Sequence, residues 1–124
     1  MDTDRIRLLV VEDEPVILTE IDMVLEEVGY RVDKASSVEE ALASLAITRF
    51  DAVVLDLQLK HVIAVEVAEF LVRSGTPYVV CSGYIPDDSA VWSDAAARLP
   101  KPCDGETILR TMASVVAPKS NSPP

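Results

Sequence analysis

Ala52-Val53-Val54-Leu55 is an unbroken apolar run that stops on an acid, Asp56. Four such residues in succession, without alternation, suit a strand covered on both faces, the position strands take in a parallel sheet sandwiched by helices. Leu8-Leu9-Val10-Val11 is a second run of this kind and meets Glu12-Asp13-Glu14; Tyr78-Val79-Val80-Cys81 is another and meets Ser82-Gly83-Tyr84. Between these runs lie helical spacings. Pro15 fits a first helical turn, Ile17, Leu18, Ile21, Val24, Leu25 and Val28 recur on one face, and Gly29 supplies a stop. Tyr30–Ala35 is a more polar strand, as expected at a sheet edge. Ser37 and Glu40 form a capping-box pair that opens a helix through Ile47, with Val38, Ala41, Leu42 and Leu45 inward. Gln58–Ile63 reads as a loop leading to a helix over Ala64–Arg73, closed by Gly75 and Pro77. Pro86 with Asp87-Asp88-Ser89 caps a short helix carrying Val91 and Trp92, Ala97–Leu99 is a brief strand, and Asp104 caps a last helix with Ile108, Leu109, Met112, Val115 and Val116 inward.

Five strands alternating with five helices predict an α/β fold: a doubly wound, five-stranded parallel sheet with helices on both faces, strand order 2-1-3-4-5, flavodoxin-like. The length of 124 residues suits one domain, expected over residues 1–117, with a disordered tail at 118–124 where Pro, Ser, Asn and Lys dominate. The first apolar stretch, Ile6–Val11, is far below the roughly 20 residues that span a bilayer, so a soluble, cytoplasmic protein with no membrane partner is expected. Cys81 and Cys103 lack the spacing of a zinc site or redox pair and read as reduced, inert core thiols. With 21 acids against 11 basic residues the net charge is −10, which repels nucleic acid and excludes it as a partner. Most of that charge needs no explanation beyond solubility.

The polar residues just past the strands are placed too regularly for that account. Glu12 and Asp13 follow the first strand, Asp56 the third, Ser82 the fourth and Lys101 the fifth. In a parallel sheet all these ends share one edge, and in the order 2-1-3-4-5 their strands are neighbours beside the topological switch point. Three gathered carboxylates repel one another, at roughly 4 kcal/mol per pair 4 Å apart with an effective dielectric near 20. A hard, oxygen-seeking cation offsets this, and few protein ligands with retained waters favour Mg²⁺. Asp56 then has the chemistry to attack a phosphorylated donor and form an aspartyl phosphate, with Lys101 neutralising phosphoryl oxygens and the Ser82 hydroxyl donating a hydrogen bond.

Through Glu12-Asp13, Asp56, Ser82 and Lys101-Pro102, the sequence from about Arg5 to Met112 resembles a receiver domain of two-component response regulators. The resemblance implies Mg²⁺ held by Glu12, Asp13, Asp56 and the backbone carbonyl of Gln58, and phosphate taken by Asp56 from a histidine kinase. It also implies that Ser82 and Lys101 read the phosphorylated state, and that the Lys101-Pro102 peptide is cis. Thr76-Pro-Tyr-Val-Val-Cys-Ser-Gly-Tyr84 is similar to a variant subgroup with a Pro-Phe-x-Phe-Ala-Thr-Gly-Tyr-like motif, served by HWE-type histidine kinases, with Ser82 in place of threonine. The chain departs from the family in carrying Arg98 where ordinary receivers have an aromatic switch residue. Lys60 and Ala64 replace a proline and a glycine of the loop after the phosphorylated strand.

The expected function is a stand-alone phosphoacceptor that alters binding of a downstream protein partner or acts as a phosphate relay or sink, not an enzyme beyond its own phosphorylation and autodephosphorylation. Arg98 is expected to exchange ion-pair partners among Asp87, Asp88 and Asp94 or the phosphoryl group, and Tyr84 and Gln58 to tune hydrolysis by limiting water. Alternatives are a degenerate receiver that binds a protein without phosphorylation, and an aspartyl-phosphate phosphohydrolase. The latter would carry a second acid two residues after its nucleophile, where this chain has Gln58. A flavin or nucleotide module would want a glycine-rich turn in place of Glu12-Asp13-Glu14. Glu12 and Asp13 also suit the start of a helix, where the dipole favours acids. His61, the one histidine, reads as an exposed loop residue, and Trp92 as packing or a partner contact.

Overall fold

The structure, a computed structural model, describes residues 5–60, 62–83 and 94–116. Its elements follow the order β1 (Arg7–Val11), α1 (Pro15–Glu27), β2 (Arg31–Ala35), α2 (Val38–Ile47), β3 (Ala52–Leu55), β4 (Gln58–Leu59), β5 (Val62–Ile63), α3 (Val65–Ser74), β6 (Tyr78–Ser82), β7 (Ala97–Pro100) and α4 (Gly105–Val115). Five strands form one parallel sheet in the order β2-β1-β3-β6-β7. Counted along the chain, that is the expected 2-1-3-4-5. The central strands are the apolar runs, because only they can be covered on both faces: Ala52–Leu55 is buried throughout. The outer strands β2 and β7 are only partly covered, which is why their sequences tolerate Arg31, Lys34 and Arg98.

Alternate residues of each central strand enter separate cores. Leu9, Val11, Val53, Leu55 and Val80 join residues of α2 and α3, whereas Leu8, Val10, Val54, Val79 and Cys81 join Ile21 and Leu25 of α1 with Ile108 and Met112 of α4. Four helices are present among the described residues, in pairs on the two faces; the expected short helix around Val91 and Trp92 lies outside them, as do Tyr84, His61, Asp87, Asp88 and the tail.

Helix boundaries follow the expected chemistry. Pro15 opens α1, and Gly29 beyond its end has φ +104°, a left-handed conformation that glycine adopts without steric cost. Gly75 caps α3 at φ +70°, its N–H donating to the carbonyls of Leu71 and Val72. The Ser37 hydroxyl accepts from the Glu40 N–H at 3.1 Å, but the Glu40 carboxylate reaches back to the N–H and hydroxyl of Ser36 rather than to Ser37.

Two expectations are corrected, and one buried acid was not foreseen. Val28 is 58% exposed, because it falls after the last turn of α1, where the helical spacing no longer directs it inward. Asp22, inside the apolar stripe, is buried and pairs with Lys34 of β2 at 3.0 Å. Where a loop was expected, Gln58–Leu59 (β4) and Val62–Ile63 (β5) pair as two short antiparallel strands. Leu59 anchors the pair by inserting into the core at 1% exposure, and the Ala64 N–H closes it onto the Leu57 carbonyl at 2.7 Å.

Candidate functional site

The carboxyl ends of β1, β3, β6 and β7 build a cavity of 370 Å³ lined by Asp13, Glu14, Asp56, Gln58, Lys60, Ser82, Gly83 and Lys101. Backbone pairing sets the positions of its acids. The Asp56 N–H donates to the Val11 carbonyl at 3.0 Å and the Glu12 N–H to that of Ala35 at 3.0 Å. Carboxylate oxygens of Glu12, Asp13 and Asp56 lie within 4.8 Å of one another. Lys101, expected to be near them, binds two: its ammonium donates to Glu12 Oε1 at 2.7 Å and to Asp56 Oδ2 at 3.0 Å. The Lys101 N–H also donates to the Ser82 carbonyl at 3.1 Å, which ties the end of β7 to that of β6. The Lys101-Pro102 peptide is cis, as expected.

Burial and charge oppose each other here. Burial pushes the Glu12 carboxyl above its ordinary range, as does neighbouring Asp56, while hydrogen bonds from Lys101 and the Glu14 N–H pull it back without cancelling the rise. Burial also disfavours the Lys101 ammonium, but its bonds to Glu12 and Asp56 outweigh that and hold it above the usual lysine value. The remaining acceptor positions take backbone donors: Glu12 Oε2 accepts from Glu14 at 3.1 Å and Asp56 Oδ1 from Gln58 at 3.1 Å. Ser82 is buried at 1% exposure, and the Gln58 side chain is exposed at the cavity.

The donor set fits a hard divalent cation: three clustered carboxylates with no imidazole or thiolate among them, and a lysine sharing two of the acids as a counter-charge. Glu12, Asp13 and Asp56 are the residues able to hold one, and the Gln58 carbonyl belongs to a residue lining the same cavity.

Sequence reasoning missed Lys60. It has φ +49°, and its N–H donates to Asp13 Oδ2 at 2.9 Å. The clue was its replacement of a proline, since proline has no N–H to offer and cannot reach positive φ. Arg98 lies on the edge strand β7, paired in register with Val80, and is exposed. Asp94, one of its expected partners, is exposed too. Cys81 and Cys103 were not expected to meet, yet their sulfurs are 3.2 Å apart. Burial, and then the Cys103 sulfur beside it, push the Cys81 thiol up to about 12.

Comparison with known proteins places this geometry. A family model for the response regulator receiver domain matches residues 8–113. The chain is 26% identical to Protein PilH of Pseudomonas aeruginosa over 118 residues, covering 90% of this chain and 98% of PilH. It is 30% identical to the sensory transduction protein LytR of Staphylococcus haemolyticus over 121 residues, which is 94% of this chain but 47% of LytR. The crystal structure of a CheY-like response regulator receiver domain protein from Methanospirillum hungatei matches with a TM-score of 0.80 at 27% identity, covering 89% of this chain and 92% of that one.

Proposed function

The chain belongs to the response regulator receiver domain family of two-component signalling, and from that premise we propose that it is a phosphoacceptor whose Asp56 takes phosphate from a histidine kinase of the HWE type. One observation carries the reading: Asp56 ends a fully buried strand within 4.8 Å of two other carboxylates and under the Lys101 ammonium. A carboxylate oxygen of Asp56 attacks the phosphorus of the phosphohistidine. The P–N bond breaks, and the imidazole leaves with the electron pair. Lys101 then neutralises a phosphoryl oxygen, and the Ser82 hydroxyl donates to another. Glu12, Asp13 and Asp56, with the Gln58 carbonyl, would hold a divalent cation, whose positive charge would offset repulsion between the acids and the incoming phosphoryl group. The similarity of Thr76–Tyr84 to the Pro-Phe-x-Phe-Ala-Thr-Gly-Tyr-like motif supports the kinase type, and the readout is a changed contact with a protein partner.

The test is an intact-mass measurement after incubation with Mg²⁺ and acetyl phosphate or an HWE-type kinase. Wild type is expected to gain one phosphoryl group and Asp56→Asn none. No adduct on wild type under any of these conditions would favour a receiver that binds its partner without phosphorylation.

Two residues outside the family pattern refine the proposal. The Lys60 N–H holds Asp13 in position for the cation, and a hydrogen bond to a charged acceptor contributes about 1.5–3 kcal/mol. Lys60→Pro removes both the donor and the positive φ, and is expected to weaken Mg²⁺ binding roughly tenfold or more by calorimetric titration. Lys60→Gly, which keeps both, should bind as wild type does; equal affinity in the proline variant would remove Lys60 from the site. Arg98 stands in for the aromatic switch by changing ion-pair partners on phosphorylation. Arg98→Ala should accept phosphate normally while losing most phosphorylation-dependent change in partner affinity, and an unchanged affinity ratio would rule the role out.

A further inference from the structure

We propose that Cys81 and Cys103 form a reversible oxidation site whose disulfide fastens the Lys101 turn to β6. Both thiols are free, and their sulfurs are 3.2 Å apart although the residues are 22 positions apart in the chain. A disulfide bond is about 2.05 Å long, so closure needs a sulfur displacement of roughly 1 Å. The fold has already done the rest. Parallel pairing sets Cys81 of β6 opposite Leu99 of β7, and the cis Lys101-Pro102 peptide lies between that strand and Cys103. A cavity of 340 Å³ bordered by Ile17, Ile21, Cys81, Pro102 and Cys103 gives a small oxidant a route to the pair.

The two thiols differ in access. Cys81 is 4% exposed, while Cys103 is only partly covered, so Cys103 meets the oxidant first. With a peroxide, the Cys103 sulfur attacks one oxygen, the O–O bond breaks, and the departing hydroxide becomes water, leaving a sulfenic acid. The Cys81 sulfur then attacks the Cys103 sulfur. The S–S bond forms, the S–O bond breaks, and the hydroxyl leaves with the Cys81 proton as a second water. The two thiols lose two electrons and the peroxide gains them; an added dithiol reverses the exchange. In the reduced protein the Lys101 N–H donates to the Ser82 carbonyl at 3.1 Å, a hydrogen bond between this turn and β6. The disulfide adds a covalent tie one residue before Ser82 and two after Lys101.

Full-length reduced protein treated with hydrogen peroxide and then alkylated under denaturing conditions tests this by mass spectrometry. The expected product is monomeric, lighter by two hydrogens, closed to alkylation, and joined between the Cys81 and Cys103 peptides. Dithiothreitol should restore two alkylatable thiols. Cys103→Ser should resist the same treatment, with its Cys81 still reduced. Sulfinic acid at Cys103 beside a free Cys81, a cross-link between chains, or unreacted thiols would each overturn the proposal. Neither Mg²⁺ nor a phosphoryl donor enters the assay, so failure here leaves the reading of Asp56 untouched.

Discussion

Lys101→Ala is expected to lose about 3 kcal/mol of stability in Mg²⁺-free buffer at neutral pH, within the range for removing one partner of a buried ion pair. The ammonium is the cation found between Glu12 and Asp56, whose side chains are only 2% and 5% exposed. Without it two buried carboxylates face each other, and Glu12 answers by holding a proton more tightly. That sets the pH dependence. The Glu12 carboxyl already lies above its ordinary value of 4.5 in the folded chain, through burial first, and in the variant it rises further. A carboxyl with a raised folded-state value contributes stability below pH 4.5 and loses it as pH rises through that value. The deficit of Lys101→Ala should therefore be small below pH 4.5 and grow towards neutrality. Mg²⁺ should recover part of it, because binding to the folded state alone adds about 2.7 kcal/mol at a hundredfold excess over Kd. Urea denaturation at acid and neutral pH, with and without Mg²⁺, measures all three quantities. A neutral-pH loss below 1 kcal/mol would mean that the acids find other compensation.

Leu57→Ala is expected to cost about 2–5 kcal/mol, the range for emptying a core leucine site. Leu57 is fully buried in the core beneath α2 and α3, directly after Asp56, and its carbonyl accepts the Ala64 N–H that closes the β4–β5 pair. The truncation removes an anchor at the base of β4 and β5. The Lys60 N–H, whose acceptor is across the cavity on Asp13, should then exchange with solvent faster than in wild type. Thermal or urea unfolding gives the first effect and hydrogen exchange at Lys60 the second. A loss under 1 kcal/mol would show that the core collapses into the space.

The strand order and the meeting of Glu12, Asp13, Asp56, Ser82 and Lys101 were legible because they depend on apolar runs and on which residue ends each run. Both are local patterns, and parallel topology converts them into one shared edge. What stayed hidden depends on distance across the fold. The β4–β5 pair has two residues per strand, too few for periodicity, and is held by Leu59 in the core and by Asp13 on Lys60. Asp22 went unnoticed because its partner, Lys34, comes from another element, which helical spacing does not reveal. The Cys81–Cys103 contact likewise needs the register of β6 against β7, which no spacing encodes. Val28 was misplaced for the opposite reason: the periodicity was extended one residue past the end of its helix.

The division of the apolar interior by the sheet bears on how such a chain can change over time. Substitutions beneath α1 and α4 meet different neighbours from those beneath α2 and α3, and changes without shared partners combine nearly independently. One side of the molecule can therefore be remodelled for a new acquaintance while the other keeps its old one. The acidic rim, built from strands common to both sides, is the part that neither history is free to alter.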